Sequence, residues 1–411
     1  MSFFDEIKRT NWTEVERGID ACTAADVDSA LQAARSGGIE LNHFISLLSP
    51  AAGSRLEEMA RQSHLITQQR FGKTVSLFAP LYVSNFCINS CAYCGFNSKN
   101  PVKRLALTPE QVRDEGEFIY RLGFRHLLLV SGEAPEVVSL DYFTRITGLL
   151  RDLFSSIAVE IYPMSVEQYR VLAACGVDGL TVFQETYDEE LYRRFHLGGK
   201  KRDFRWRIET PDRGGEAGFR RLGLGALLGL GNWRAEAFYM GLHAKYLMRK
   251  YWQSQVSISF PRLRPAAGFF QVPHPVSDRN FVQLLTALRL FLPDTGFTLS
   301  TRESADFRDH LIPLGITSMS AGSKTDPGGY AHPQGEEAEA QFEIADCRNP
   351  EAVAEAIRQK GYEPVWKDWD EAFLGGGTAS QVGRCLRRRP EKAVGPPQHQ
   401  ESPVNSIGLE Q

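Results

Sequence analysis

The sequence predicts a (βα)8 barrel of the TIM type with helical extensions at both ends. Three observations carry this expectation. Between about residues 75 and 325, eight short β-rich runs alternate with amphipathic helical stretches, as βα units around a parallel sheet do. The helical stretches open on cap residues and close on glycine. A cluster of three cysteines follows the first run directly, where a barrel places the loops that carry its active site. The same alternation would also suit an open, doubly wound sheet.

Residues 1–74 read as a helical N-terminal extension, with Thr23-Ala24-Ala25-Asp26 starting a helix before Val27, Leu31 and Ala34. Residues 75–325 form the barrel. Its expected strands are 75–84, 126–130, 157–162, 179–184, 223–229, 255–260, 297–301 and 316–320. Between them, Thr108-Pro109-Glu110-Gln111 supplies a hydroxyl N-cap, proline at the first helical position and Gln at N3, and Gly123 ends that helix. Ser165 to Gln168 repeats the capping box with Gly176 as the stop, and Ser277 opens a third helix before Phe281, Leu284, Leu285 and Leu288. Residues 326–375 are a C-terminal extension, with one helix from Pro350 to Gly361 and then the aromatic segment Val365-Trp366-Lys367-Asp368-Trp369, which suits a lid, a docking patch or plain packing. The tail 376–411 has too little apolar content to order itself.

Composition narrows the class. The chain has 411 residues, 42% hydrophobic and 24% charged, which is ordinary for a globular enzyme. A net charge of -3 provides no global field for nucleic acid or an anionic membrane. There is no signal-peptide pattern near Met1 and no apolar run approaching the roughly 18 residues of a membrane span, so a cytoplasmic location is expected. Seven cysteines, three of them crowded together, fit a reducing compartment better than a disulfide framework.

The crowded three are Cys87, Cys91 and Cys94, a C-x3-C-x2-C run. Three thiolates within eight residues suit a soft metal centre. Zinc would need a fourth ligand, whereas an iron–sulfur cube bound by three cysteines keeps one iron open.

This spacing after a first barrel strand resembles the radical S-adenosylmethionine superfamily. The resemblance implies a 4Fe-4S cluster on Cys87, Cys91 and Cys94, with S-adenosylmethionine chelated to the open iron and reductively cleaved to a 5′-deoxyadenosyl radical. It also implies further cosubstrate contacts. Ser131-Gly132-Glu133 matches the motif at the end of the second strand, Gly225 and Gly229 match the fifth-strand glycine motif beside the adenine, and Tyr93 lies inside the cysteine run. Arg207 or Arg213 would pair with the cosubstrate carboxylate, Arg207 being preferred.

Within the superfamily, the chain resembles the 2-iminoacetate synthases (ThiH-type tyrosine lyases) nearly throughout, to about residue 374. The strongest segments are Pro80-Leu81-Tyr82, Phe183-Gln184-Glu185-Thr186-Tyr187, Glu209 to Arg213, Phe260 to Pro265, Leu299 to Glu303 and Val365 to Trp369. The resemblance implies a carbon–carbon lyase that cleaves L-tyrosine to 2-iminoacetate and p-cresol for thiamine thiazole biosynthesis. Arg302 would clamp the tyrosine carboxylate, with Ser320 and Ser323 assisting and Tyr82 near the amine. Arg262 and Arg264 are open between substrate ligands, charge compensation for the cluster and structural ion pairs. The implied partners are thiazole synthase (ThiG) and a low-potential electron donor such as flavodoxin or ferredoxin. A hydrogenase-maturation tyrosine lyase is the nearest alternative, but it needs three further C-terminal cysteines, and only Cys347 and Cys385 follow the barrel. A zinc-binding scaffold without catalysis is the alternative from another class.

Overall fold

The computed structural model describes residues 2–268, 270–331 and 340–370. The expected tail at 376–411, and Cys385 within it, lie outside the described residues.

All eight expected strands form: β1 (Thr74–Ser84), β2 (His126–Ser131), β3 (Ser156–Glu160), β4 (Val177–Glu185), β5 (Arg221–Ala226), β6 (Gln255–Ser259), β7 (Gly296–Leu299) and β8 (Ser318–Ser320). Each pairs in parallel with the next, and β1 pairs with both β2 and β8, so the sheet closes on itself. The closed barrel decides against the open doubly wound sheet.

A short additional strand, β9 (Glu363–Val365), lies parallel to the start of β1, with Thr74 opposite Glu363. It carries the aromatic segment under the N-terminal end of the barrel. Trp366 packs on Phe124 with ring centroids 5.1 Å apart, and Trp369 lies under Arg220 at 4.2 Å. Asp368 accepts from Ser76 Oγ at 2.9 Å and meets His126 Nε2 at 2.9 Å. The segment therefore packs as a floor.

The helices form where their caps direct. The N-terminal extension folds as α1 (Phe3–Ile7), α2 (Trp12–Asp20), α3 (Ala24–Arg35), α4 (Leu41–Leu48) and α5 (Leu56–Phe71). In the barrel, α6 (Pro109–Arg121) starts at the Thr108 capping box, α7 is Leu140–Leu150, and α8 (Val166–Ala174) starts at the Ser165 capping box. Next come α9 (Glu189–Phe195), α10 (Phe204–Ile208), α11 (Thr210–Ala217) and α12 (Trp233–Lys250). Finally α13 (Asp278–Phe291) is capped by Ser277, α14 is Ala305–Leu311, and α15 (Pro350–Gln359) has proline in its first turn.

The N-terminal helices pack on the barrel as expected of an amphipathic set. Gln283 of α13 donates to the carbonyls of Leu47 and Ser49. Phe3 stacks on His243 of α12 with centroids 3.9 Å apart.

Four expected strands run past their true ends, those drawn to 162, 229, 260 and 301. β3 stops at Glu160 and β5 at Ala226, so Gly229 lies in the loop beyond β5 with φ 117°. Backbone bonds from Leu228 N to Pro261 O (2.8 Å) and from Leu263 N to Leu228 O (2.9 Å) hold that loop after the strand has ended. The glycine-rich run is thus part strand and part loop.

Candidate active site

The side chains that point inward alternate along each strand. Phe78, Pro80 and Tyr82 of β1, Leu128 and Val130 of β2, and Ala158 and Glu160 of β3 line one side of a cavity inside the barrel. The cavity encloses about 1650 Å³ of non-atom space, a figure that includes its open, solvent-filled mouth. Its upper wall contains Cys94, Tyr93, Glu185, Lys201, Arg302, Ser320 and Ser323. These residues come from the C-terminal ends of the strands and the loops after them, the face on which barrel enzymes build their chemistry.

The cysteine loop joins β1 to α6 and is pinned on two sides. Ile88 N donates to Glu133 O (2.8 Å), and Asn89 Nδ2 donates to the Glu133 carboxylate (2.7 Å), tying the loop to the end of β2. Ser90 N donates to Gly198 O (3.0 Å), Leu197 N to Ser90 O (3.0 Å) and Ala92 N to Phe195 O (2.9 Å), tying it to the segment after α9. Gly132 is required by contact: a Cβ there would stand 2.3 Å from the Phe86 carbonyl oxygen and 3.1 Å from Cys87 Cβ. Gly225 is required likewise, with a Cβ 2.6 Å from Ser259 O.

Burial pushes the Cys91 thiol up to about 12 and raises Cys94 as well, so thiolates here need a compensating metal charge. Among the described residues no three His, Cys, Asp or Glu side chains converge on the position of a single metal ion. A cube that hangs each thiolate on a different iron does not demand that convergence. Cys22, Cys175 and Cys347 are also free thiols, so the described cysteines form no disulfide framework.

Buried polar atoms stand without partners at Ser131 Oγ, next to Gly132 at the end of β2, and at Ser323 Oγ on the cavity wall. Such atoms are costly unless a ligand satisfies them. The loop and its surroundings therefore fit a three-cysteine cluster with a polar cosubstrate beside it.

The predicted residues fall into distinct positions. Tyr82 donates to Gln341 Oε1 (2.8 Å), and Gln341 Nε2 lies 3.9 Å from Cys94 Sγ, so Gln341 bridges the tyrosine and the cysteine loop. His196 Nδ1 lies 2.7 Å from the Tyr192 carbonyl and so carries its proton there; Nε2 then accepts from the Tyr93 hydroxyl at 2.8 Å. Burial lowers His196 to about 3, which keeps it neutral. Glu133 is engaged with Asn89, and Gly229 stands in the loop beside Leu263.

Arg302 lies flat over the Phe342 ring, 3.3 Å from its centroid. Its pKa is lowered by desolvation, and among the described residues it has no ion-pair partner. Arg262 and Arg264, in contrast, both pair with Glu303, and Arg262 also reaches Asp278 at 2.7 Å. Of the readings left open for those two, the structure shows ion pairs.

Arg213 is corrected. Its Nε donates to Met164 O (2.8 Å), another nitrogen donates to Trp206 O (2.6 Å) and Thr210 Oγ1 (2.9 Å), and it stacks on Trp206 at 3.5 Å. It is a brace between α11 and the loop joining β3 to α8, outside the cavity wall. Arg207 is buried, donates to Phe183 O (2.9 Å) and stands 3.9 Å from Glu185, behind the wall. Lys201 does reach the wall, together with Arg302, and donates to Glu185 Oε1 at 2.6 Å.

Sequence reasoning missed Lys201, Glu160, Glu185 as an ionic group and Gln341. Gly198-Gly199 before the lysine pair was the available signal for Lys201: a Cβ at Gly199 would stand 2.2 Å from Asn89 Oδ1. Gln341 had no signal, since it reaches the site from the C-terminal extension.

Residues 81–238 match the Radical SAM superfamily and residues 259–363 the Biotin and Thiamin Synthesis associated domain. The chain is 46% identical to 2-iminoacetate synthase of Salmonella typhimurium, over 93% of this chain and 99% of that protein. It is 47% identical to 2-iminoacetate synthase of Escherichia coli, over 91% and 98%. Among solved structures it resembles HydG, a maturase of the [FeFe]-hydrogenase, with 32% identity, a TM-score of 0.82 and coverage of 93% and 86%. Cysteine loop, closed barrel and near full-length identity converge, and the chain belongs to the 2-iminoacetate synthase family of radical S-adenosylmethionine enzymes.

Proposed function

We propose that the chain cleaves the Cα–Cβ bond of L-tyrosine, releasing 2-iminoacetate and p-cresol alongside 5′-deoxyadenosine and methionine, to supply the thiamine thiazole. The observation that carries this reading is Arg302: a partly desolvated guanidinium with no ion-pair partner among the described residues, on the wall of the cavity that Cys94 also lines. An unpaired cation in a low-dielectric cavity is costly, and a substrate carboxylate would relieve that cost through a planar two-point contact.

When bound, the cluster and S-adenosylmethionine supply the radical that takes a hydrogen atom from the substrate amine. Cys87, Cys91 and Cys94 would hold the cluster. The backbone around Gly132, the Ser131 hydroxyl and the Glu185–Lys201 pair would receive the polar groups of the cosubstrate. Arg302 would fix the amino acid by its carboxylate, with Ser323 Oγ and Ser320 beside it. Tyr82, held by Gln341, would face the amine. Fixing two ends of the substrate is worth several orders of magnitude in rate when it selects which hydrogen is presented.

The hydrogenase-maturation reading has less support, because the described part of the chain beyond the barrel holds only the exposed Cys347. Hand-over of the hydrolysable imine to thiazole synthase (ThiG), and reduction by a flavodoxin or ferredoxin, belong to the same proposal. So does a cytoplasmic location; among the described residues no helix is long and apolar enough to cross a membrane.

The test is anaerobic reconstitution with iron and sulfide, then dithionite, S-adenosylmethionine and tyrosine. 5′-Deoxyadenosine, p-cresol and glyoxylate from the hydrolysed imine are expected together. Deoxyadenosine without p-cresol would overturn the substrate, and no deoxyadenosine from a protein with an intact cluster would overturn the chemistry.

A further inference from the structure

The segment from Arg193 to Arg207 is the outer wall of the cysteine loop. Its backbone is bonded to that of Ser90 and Ala92 through Phe195, Leu197 and Gly198. At Gly199 the two chains touch so closely that a Cβ would lie 2.7 Å from Asn89 Cα and 2.8 Å from Ile88 O. Whatever covers this wall sits one backbone layer from the cysteines.

The composition of the wall is unlike that of the whole chain. These fifteen residues contain seven basic side chains (Arg193, Arg194, Lys200, Lys201, Arg202, Arg205 and Arg207) and one acidic, Asp203, a local charge of +6 where the chain totals -3. Lys201 and Arg207 turn inward toward Glu185. The other five are exposed. Arg193 and Arg205 pair with Glu189 and Glu209, whereas Arg194, Lys200 and Arg202 have no carboxylate partner among the described residues.

Exposed apolar surface accompanies the charge. Ile88 is 45% exposed, Leu197 54% and Trp206 37%. Gly199, Lys200, Arg202, Asp203 and Trp206 together line a shallow depression. Large apolar groups framed by unpaired charge of one sign mark a protein-binding surface more than a solvated face.

We propose that this wall is the docking surface for an acidic, low-potential one-electron carrier protein. The proposal rests on the reading of Cys87, Cys91 and Cys94 as cluster ligands. The wall lies on the solvent side of the cysteine loop, its charge complements an acidic partner, and exposed apolar side chains stand among those charges. In the step concerned, one electron passes from the reduced carrier to the cluster; the carrier is oxidised by one electron and no bond is made or broken.

The experiment uses the cluster-loaded enzyme and an acidic flavodoxin. Two quantities are measured at several ionic strengths: the Kd for oxidised flavodoxin, and the stopped-flow rate at which photoreduced flavodoxin is reoxidised. In the double variant Lys200→Glu with Arg202→Glu, the Kd at low salt should rise at least tenfold, the rate should fall by a similar factor, and the salt dependence should flatten. Dithionite-driven deoxyadenosine formation and cluster absorbance should match the parent. If charge reversal disturbs loading, the neutral pair Lys200→Gln with Arg202→Gln should give the same changes at least threefold in size.

Unchanged Kd and rate in the double variant would overturn the docking surface. So would an equal loss in Lys360→Glu, an exposed position in the turn after α15. A parent enzyme that yields no deoxyadenosine with dithionite would instead overturn the cluster reading, independently of docking.

Discussion

Lys201 Nζ donates to Glu185 Oε1 at 2.6 Å, with only 13% and 11% of the two side chains exposed. Glu185 is the one non-glycine among the described residues with positive φ, at 71°, and it follows a break in register between β4 and β5. A strained residue at a strand end, held by a buried pair, is a device for aiming a side chain into a site.

Removing Lys201 should therefore be expensive. Burial alone would raise Glu185, but Lys201 and then Arg207 outweigh it and hold the carboxyl below its ordinary value. Lys201→Met leaves Arg207 as the nearest cation, 3.9 Å away, and is expected to cost about 3 kcal/mol in urea unfolding at pH 7. A carboxyl with a depressed folded pKa contributes stability above its unfolded value and loses it as pH falls through the folded one. The variant should accordingly show a flatter acid limb, and a parent-like dependence below pH 5 would refute the pairing.

Glu160, on the same wall, behaves in the opposite way. Burial and the neighbouring Glu185 push it up to about 7 despite Arg302, Arg207 and Lys201. It stays protonated in the folded chain where the unfolded chain has released its proton, so stability falls as pH rises from about 4.5 to 7. Glu160→Gln should be more stable than the parent at pH 8 and should converge with it at pH 4, as read from Tm.

Arg302→Lys should retain cosubstrate cleavage and lose coupling to tyrosine. A lysine keeps the charge but gives up the planar fork and its stacking on Phe342. p-Cresol formed per deoxyadenosine is expected to fall at least tenfold, and an unchanged ratio would remove Arg302 from the substrate.

Gly132→Ala tests the cysteine loop by crowding. The new Cβ meets the Phe86 carbonyl at 2.3 Å, which cannot be relieved by rotating a side chain. Overpacking of this kind costs about 1–3 kcal/mol, and iron content after reconstitution should drop with it. Gly18→Ala in the exposed part of α2, with nothing within 4 Å, should instead stabilise by about 1 kcal/mol.

The fold was legible because the barrel repeats one pattern: caps such as Thr108 and Ser165 and β-rich runs such as 75–84 are local signals, and each marks its element. Boundaries failed where tertiary contacts decide them, as at Gly229, where bonds to the Pro261–Leu263 segment hold a loop that reads as strand. The cysteines and Arg302 stand in motifs legible in the sequence, and the fold brings Cys94 and Arg302 to one cavity. Lys201 and Gln341 reach the cavity wall from segments remote in sequence, which no spacing along the chain encodes. Arg213 misled because a guanidinium near a motif looks alike whether it faces a cavity or three backbone and hydroxyl acceptors.

The cysteine loop is gripped between two places where only a hydrogen fits, Gly132 on one side and Gly199 on the other. Its spacing is consequently not a portable cassette. Grafted into another barrel without both glycines and the Asn89 bridge to Glu133 and Lys201, the eight-residue run would keep its ligands and lose its seat. For anyone redesigning this scaffold, the transplantable unit is the loop together with its two vices, drawn from three distant stretches of chain.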